Sequence, residues 1–283
     1  MGRGAELQQS VTAMVGSRGI AADVWVTDAP GHAYDIATKA VARGVSTVVA
    51  WGGDGTVNEV ASALAFTASR MAIVPVGSGN GLARHLAIPL NPERALDVAL
   101  GSHDTVIDVG ELDGRRFVNV AGLGIDAAIA HCFAADGLRR RGLRRYAELT
   151  MTEVFAYRSQ DCTIEANGEA LRVRPLLLTL ANGSQFGNGA FVARSARTDD
   201  GLLDLVIAKE RAPLAALLQA PMLFFGGATR LPGVTTRQVS EVTVTSAAPI
   251  PYHVDGEPGV GGTTVRACIH PRGLRVMVPR PAA

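Results

Sequence analysis

Apolar and polar positions along the first hundred residues switch repeatedly between two periods. Helical spacing over residues 5–15 precedes a strand-like run at 22–27, and helical spacing over 32–43 precedes a solid apolar run at 47–50. That run stops at Gly52-Gly53-Asp54-Gly55-Thr56, and an amphipathic helix starts at once through Val57, Val60, Ala61 and Leu64. A second apolar strand, 71–76, ends in another glycine turn, Gly77-Ser78-Gly79-Asn80-Gly81, which runs into Leu82-Ala83-Arg84-His85-Leu86. This β-α-β-α rhythm predicts a parallel sheet covered by helices on both faces.

From about residue 107 the rhythm changes. Short strands are predicted at 108–112, 115–120, 162–166, 172–180, 203–208, 239–245 and 263–269, several joined by turn pairs such as Asp113-Gly114 and Asn167-Gly168. They imply a second domain of antiparallel sheet. Helical segments interrupt it at 126–159 and at 214–225, the latter broken by Pro213 and Pro221 and assigned to the core. A short polar join at 101–106 separates the two patterns.

The two glycine turns fall at the carboxyl ends of parallel strands, where ligands of such sheets bind. Glycines let the backbone approach a bulky anion, and the amides of a helix start point at it with the favourable end of the dipole. Polyphosphate is the expected anion. Asp54 would repel bare phosphate, so a divalent cation held by hard oxygen ligands is expected between them. Ser78 and Asn80 carry hydrogen-bonding groups beside the same crevice, and Arg84 lies one helical turn on. A single glycine turn is usually only a connection; two on one sheet edge point to a site.

Composition narrows the classes. With 283 residues and 47% apolar content, the chain has the means to bury a large core in two domains. A net charge of +1 gives no global basic field, so no nucleic-acid partner is expected. Cys132, Cys162 and Cys268 lack metal-ligand spacing and even pairing, which suggests a reducing, cytoplasmic setting. The first residues lack the apolar core of a signal peptide, and no apolar run of about 18 residues occurs. A secreted or membrane-spanning protein is therefore not expected.

The glycine turns, together with Val254-Asp255-Gly256-Glu257, resemble the diacylglycerol kinase catalytic family, which includes bacterial lipid kinases and sphingosine kinase relatives. The matching stretches are residues 52–59, 77–84, 119–126, 182–201, 200–205 and 253–257. The resemblance implies transfer of the γ-phosphoryl group of ATP to a lipid hydroxyl, with Mg2+. It implies a cleft between an α/β nucleotide-binding domain at 1–105, with a parallel sheet like that of phosphofructokinase and NAD kinase, and a β-sandwich lipid domain at 106–283. The last stretch, about 15 residues, is expected to return to the first domain.

Carried over residue by residue, Gly52, Gly53, Gly55 and Thr56 bind the ATP phosphates, and Gly77, Ser78, Gly79 and Asn80 line the same pocket. Glu59 orients that network. Asp54 sits near the catalytic Mg2+, Asp255 is the first-ranked general base with Asp54 as its rival, and Glu257 is an acid beside nucleotide and metal. In-line positioning and charge neutralisation suffice for phosphoryl transfer, so a carboxylate with a metal is chemically adequate. Without the family, Asp255-Gly256 reads as a hairpin turn and His253 as ordinary packing. Asp200, with the main-chain carbonyls of Arg197 and Leu202, resembles the family's structural Mg2+ site; a plain acidic turn is the alternative.

Arg139, Arg140, Arg141, Arg144 and Arg145, interleaved with Leu138, Leu143 and Tyr146, read either as a solvated helix face or as a peripheral contact with anionic lipid at the inner face of the membrane, each arginine contributing about 1 kcal/mol near the surface. Two departures from the family pattern stand out. The chain opens at Met1-Gly2-Arg3-Gly4, past the family's first strand, which predicts a parallel sheet short of one member; and Gly81 stands where many members carry aspartate. The reading is an ATP- and Mg2+-dependent lipid kinase, with diacylglycerol the leading acceptor and a homodimer a family-level expectation. A soluble NAD kinase-like enzyme and a catalytically silent nucleotide- or lipid-binding protein are the alternatives.

Overall fold

The computed structural model describes residues 3–135 and 143–280, with side chains described at 8–135 and 150–280. The arginine cluster falls outside this set: residues 139–141 wholly, Arg144 and Arg145 in their side chains. The order begins α1 (Arg3–Gly16), α2 (His32–Ala42), β1 (Thr47–Gly52), α3 (Asp54–Leu64), β2 (Arg70–Pro75), α4 (Gly81–His85) and α5 (Pro92–Ala99). Next come β3 (Asp104–Leu112), β4 (Arg115–Phe117), β5 (Val120–Gly122), α6 (Ile125–Ala135), α7 (Leu143–Ala156), β6 (Cys162–Ala166), β7 (Glu169–Val173) and β8 (Pro175–Ala181). The chain continues through β9 (Gln185–Gly187), β10 (Ala190–Phe191), β11 (Leu203–Lys209), α8 (Pro213–Gln219), α9 (Met222–Phe225), β12 (Val234–Val239), β13 (Glu241–Ser246), β14 (Pro251–Val254), β15 (Glu257–Val260) and β16 (Thr264–Met277).

The expected architecture is present: an N-terminal α/β domain with a parallel sheet, followed by an antiparallel β-sandwich. Val57, Val60, Ala61 and Leu64 of α3, spaced for one helical face, bury against Met71 to Val74 of β2 and Ala37 of α2. In the sandwich, one sheet runs in the order β12-β11-β8-β5-β14-β15. It packs its apolar face on β3, β16, β13 and β6, with Phe117, Leu178, Leu180, Leu205, Val244 and Val265 in the shared core.

The two halves share a sheet. β16 pairs antiparallel with β13 and β3 in the sandwich, and its end then runs parallel beside β2, with Arg275 opposite Arg70 and Val276 opposite Met71. Between these stretches its register shifts, at residues 270–274. There the buried Asp108 accepts the amide of Arg272 through Oδ1 and that of Gly201 through Oδ2, both at 2.7 Å.

Several expectations need correction. Residues 22–27 form no strand: a strand needs a ladder, β1 is the sheet edge, and this stretch pairs with nothing among the described residues. Its contacts are local packing of Ile20 and Val24 and a bond from Gln8 Nε2 to the Val24 carbonyl, while Trp25 is 61% exposed. The run at 172–180 is two strands, β7 and β8, broken at Arg174 before Pro175; that at 239–245 is the end of β12 and then β13. α5 was not foreseen, although Asn91 followed by Pro92 is a strong start signal and Asn91 Oδ1 accepts the Arg94 amide.

The segment at 214–225 is not core. α8 and α9 contain no buried residue, and Leu214, Leu218 and Phe225 are 61%, 72% and 83% exposed. The outer face of the sandwich sheet, at Val120, Ala181 and Val206, is covered instead by Val192, Ala193, Ala196 and Ala228. Only Leu223 of α9 reaches that cluster.

Candidate active site

β1 and β2 run parallel in register, Thr47 beside Arg70 through to Gly52 beside Pro75. The two glycine loops therefore leave neighbouring strands at one level. They come so close that a Cβ on Gly77 would lie 2.5 Å from Gly53 Cα, so this crossing has no space for a side chain.

Asp54, in the first turn of α3, ties the loops together. Its Oδ1 accepts the Gly81 amide at 2.7 Å and its Oδ2 the Asn80 amide at 2.9 Å. Burial raises its carboxyl above the usual range, while these two amides, its own amide and the Arg84 charge act in the opposite direction. With three amides donating, the carboxylate keeps one acceptor position. α3 starts after Gly53 with no side-chain cap, so its first amides remain for an anion.

The second loop is rigid. Asn80, at φ 53, closes it on itself: Oδ1 accepts the Gly77 amide at 3.0 Å and Nδ2 donates to the Gly77 carbonyl at 2.7 Å. Asn80 is thus a brace of the pocket wall, whereas Ser78 is exposed at the loop tip and Thr56 folds back over Gly52. Arg84 Nε donates to the Gly79 carbonyl at 3.0 Å. Gly81 packs so tightly that a Cβ there would meet Asn119 Nδ2 at 2.3 Å and the Phe186 carbonyl at 3.0 Å, which accounts for glycine where aspartate is common.

From the sandwich side, the β14–β15 turn brings Asp255 and Glu257 to these loops. Asp255 is buried and accepts four hydrogen bonds: Oδ1 from the amides of Asn119 and Val120, Oδ2 from the amide of Val118 and from Asn58 Nδ2, at 2.8–3.0 Å. Burial raises this carboxyl above the usual range, and the four donors act in the opposite direction without cancelling it. Because every partner donates, the anion fits, and all of its acceptor positions are filled. In this arrangement Asp255 has no lone pair for a substrate proton; it stitches the hairpin to the β4–β5 link and to α3.

Glu257 differs. It is exposed, has no hydrogen-bond partner among the described residues, and its Oε1 lies 2.7 Å from where a Cβ of Gly55 would be. Asp54 and Glu257 are thus the two carboxylates with acceptor capacity beside the first loop.

Glu59 lies away from the loop network. Its Oε1 accepts the Gly31 amide at 2.7 Å and its Oε2 the amides of Ala33 and Tyr34, which caps α2, a helix with no side-chain cap of its own. His253 is buried: its Nδ1 accepts the Gly256 amide at 3.2 Å, so Nε2 carries the hydrogen and faces Asp126 Oδ2 at 3.5 Å. It is a packing residue, in line with the plain reading.

At the other acidic cluster, Asp200 Oδ1 accepts the Leu202 amide at 3.0 Å and the Arg197 side chain pairs with Asp199 at 3.1 Å. Nearby Asp204 is pushed up to about 6 by burial and by the Asp200 charge. Among the described residues no three His, Cys, Asp or Glu side chains gather to hold a metal by themselves. Mg2+ bound through one or two carboxylates plus phosphate oxygens does not need such a cluster, and Asp54 with Glu257 matches that donor chemistry.

Sequence reasoning missed three supports. Asn58, one turn after Asp54, links Asp255 to the Arg116 carbonyl. Asn119 holds the second loop's neighbour through the Gln185 carbonyl. His85 Nδ1 accepts the Ser184 amide at 3.1 Å, and burial lowers its pKa. Only Asn58 had a local signal, its helical spacing from Asp54.

An apolar cavity of about 390 Å³ opens at the far end of the same hairpin, lined by Leu123, His131, Tyr157, Pro251 and Val260 among others. The hairpin turn is at the loops and Pro251 at the cavity, three residue steps or about 10 Å apart.

Residues 1–112 match the family described as diacylglycerol kinase catalytic domain, and residues 119–278 that described as YegS C-terminal NAD kinase beta sandwich-like domain. A protein of Chromohalobacter salexigens described as "Probable lipid kinase YegS-like" is 33% identical over 268 residues, spanning 92% of this chain and 85% of that protein. One from Pseudomonas aeruginosa with the same description is 33% identical over 259 residues, 90% and 84% of the respective chains. Among solved structures, a putative diacylglycerol kinase from Bacillus anthracis superposes with a TM-score of 0.74 at 18% identity, over 91% of this chain and 84% of the other. An NAD kinase from Archaeoglobus fulgidus in complex with ATP gives 0.53 at 11%, over 96% and 89%. At such identities the superpositions establish the shared fold.

Proposed function

Because the chain belongs to the diacylglycerol kinase catalytic family, within its YegS-like lipid kinases, we propose that it transfers the γ-phosphoryl group of ATP to the hydroxyl of diacylglycerol or a closely related lipid. The observation that carries this reading is the hairpin: its turn meets the first glycine loop at Gly55 and α3 at Asn58, and its other end borders the apolar cavity. A glycerol hydroxyl at the loops with an acyl chain reaching toward the cavity spans that distance.

In this proposal the uncapped start of α3 and the backbone of Gly52, Gly53, Gly55 and Thr56 receive the ATP phosphates, with Gly77, Ser78 and Gly79 closing the pocket. Asp54 and Glu257 hold Mg2+, which neutralises developing phosphate charge when bound. The acceptor's proton goes to Asp54 or Glu257 rather than to Asp255, whose oxygens are occupied. A second Mg2+ beside Asp200, with the Arg197 and Leu202 carbonyls, would relieve the crowding of charge at Asp204.

The test is ATP-dependent phosphorylation of a mixed-micelle lipid panel with Mg2+, with NAD as a soluble control, for the native chain and Asp54→Ala. Phosphorylated diacylglycerol that disappears in the variant supports the proposal. Product on NAD alone would replace it with the NAD kinase reading, and ATP binding without turnover of any acceptor would leave a silent binding protein.

A further inference from the structure

We propose that the α8–α9 face docks the protein on an anionic phospholipid bilayer, an inference that rests on the lipid kinase reading. Pro213 opens α8 and Pro221 separates it from α9, giving two short helices that project apolar side chains instead of burying them. Leu214 and Leu218 lie one turn apart on α8, and Met222, Phe224 and Phe225 continue the patch on α9; all five are exposed. Solvated apolar groups gathered this way need a cover.

Charge identifies the cover. From residue 211 to 240 the chain carries no carboxylate; Arg211 donates to Gln219 of α8 and Arg230 lies against Gly226, while Arg237, farther along, is paired with Glu169. Arg194 adds a fixed cation at the base of the patch: its guanidinium lies 3.9 Å over the Phe191 ring and donates to the Phe225 carbonyl at 3.2 Å. The adjacent carboxylates Asp161 and Glu210 both face Arg174, at 3.7 and 3.5 Å. An apolar tip flanked by Arg194, Arg211 and Arg230, none of them paired with a carboxylate among the described residues, matches acyl chains beneath anionic headgroups.

Position agrees with charge. A cleft of about 450 Å³ between α7 and α8 is lined by Phe155, Tyr157, Arg158, Arg211 and Ala216, and Tyr157 also lines the apolar cavity assigned to the acceptor. The cleft beside α8 and the acceptor cavity thus share a wall, so an acyl chain leaving the bilayer beside the patch has a short route inward. A soluble protein partner would gain nothing from that continuity.

The test is co-sedimentation with phosphatidylcholine vesicles, with and without phosphatidylglycerol, for the native chain, Leu218→Glu/Phe225→Glu, and Arg230→Ala. The apolar pair of substitutions should lower partitioning about tenfold or more, and Arg230→Ala should weaken binding to the anionic vesicles only. Thermal midpoint and phosphorylation of a monomeric short-chain diacylglycerol should stay unchanged in both, since these side chains are solvated and distant in sequence from the loops. Vesicle binding that survives Leu218→Glu/Phe225→Glu, or absent in the native chain, overturns the proposal. So does a dimer of the native chain that the same substitutions convert to monomer, which would make the face a contact between copies. Vesicle binding without phosphorylation of any lipid would sink the kinase reading and leave the docking face standing.

Discussion

Asp255, expected as the general base, sits in surroundings that fit a brace. An aspartate beside a phosphate loop suggests a base, yet here three backbone amides and one side-chain amide fill its oxygens. Asp255→Asn would, whichever way the amide is turned, set Nδ2 against two N–H donors and leave them unpaired. A stability loss of about 3 kcal/mol is expected in urea unfolding, together with loss of activity. Retained stability with lost activity would instead restore Asp255 as the proton acceptor. His85 supplies a pH dependence with a definite sign. Its folded pKa lies below the ordinary value because burial, which disfavours the imidazolium, outweighs the Asp199 charge that favours it. The folded state then binds fewer protons than the unfolded chain, so the contribution is complete above about pH 6.5 and is lost as pH falls below it. The thermal midpoint should drop between about pH 7 and 5, and His85→Gln, whose Oε1 accepts in the imidazole's place, should flatten that drop.

Among the elements, the parts visible in the sequence are those fixed locally. Glycine turns at strand ends, the face of α3 and the Asp255-Gly256 turn announce themselves within a few residues, because sterics and helical period are short-range. What stayed hidden depends on distant partners. Residues 22–27 alternate like a strand but meet no ladder, and residues 214–225 are apolar but find their sheet face already covered. Glu59 carried the expectation of a phosphate-site role because it follows the loop by one turn, and nothing in its surroundings discloses that its carboxylate reaches back to α2. Glu59→Ala should therefore remove a helix cap, costing about 1 kcal/mol in thermal or urea unfolding, with KM for ATP nearly unchanged. A large rise in that KM would return Glu59 to the nucleotide network.

On the scale of the molecule, β16 decides how the two halves relate. It belongs to the sandwich through β13 and β3 and completes the parallel sheet through β2, so neither half can lose it alone. A single calorimetric transition is expected, with calorimetric and van't Hoff enthalpies equal; two resolved transitions would show that the halves unfold separately. Timing follows from the same strand. β2 is made early, but the residues that close its second edge leave the ribosome roughly two hundred positions later. Until then the nucleotide half holds its glycine loops on a sheet with an open flank, and the carboxylates of the β14–β15 turn have only just been made. A nascent chain of this protein therefore cannot complete its phosphate site until β14 to β16 have followed the glycine loops out of the ribosome.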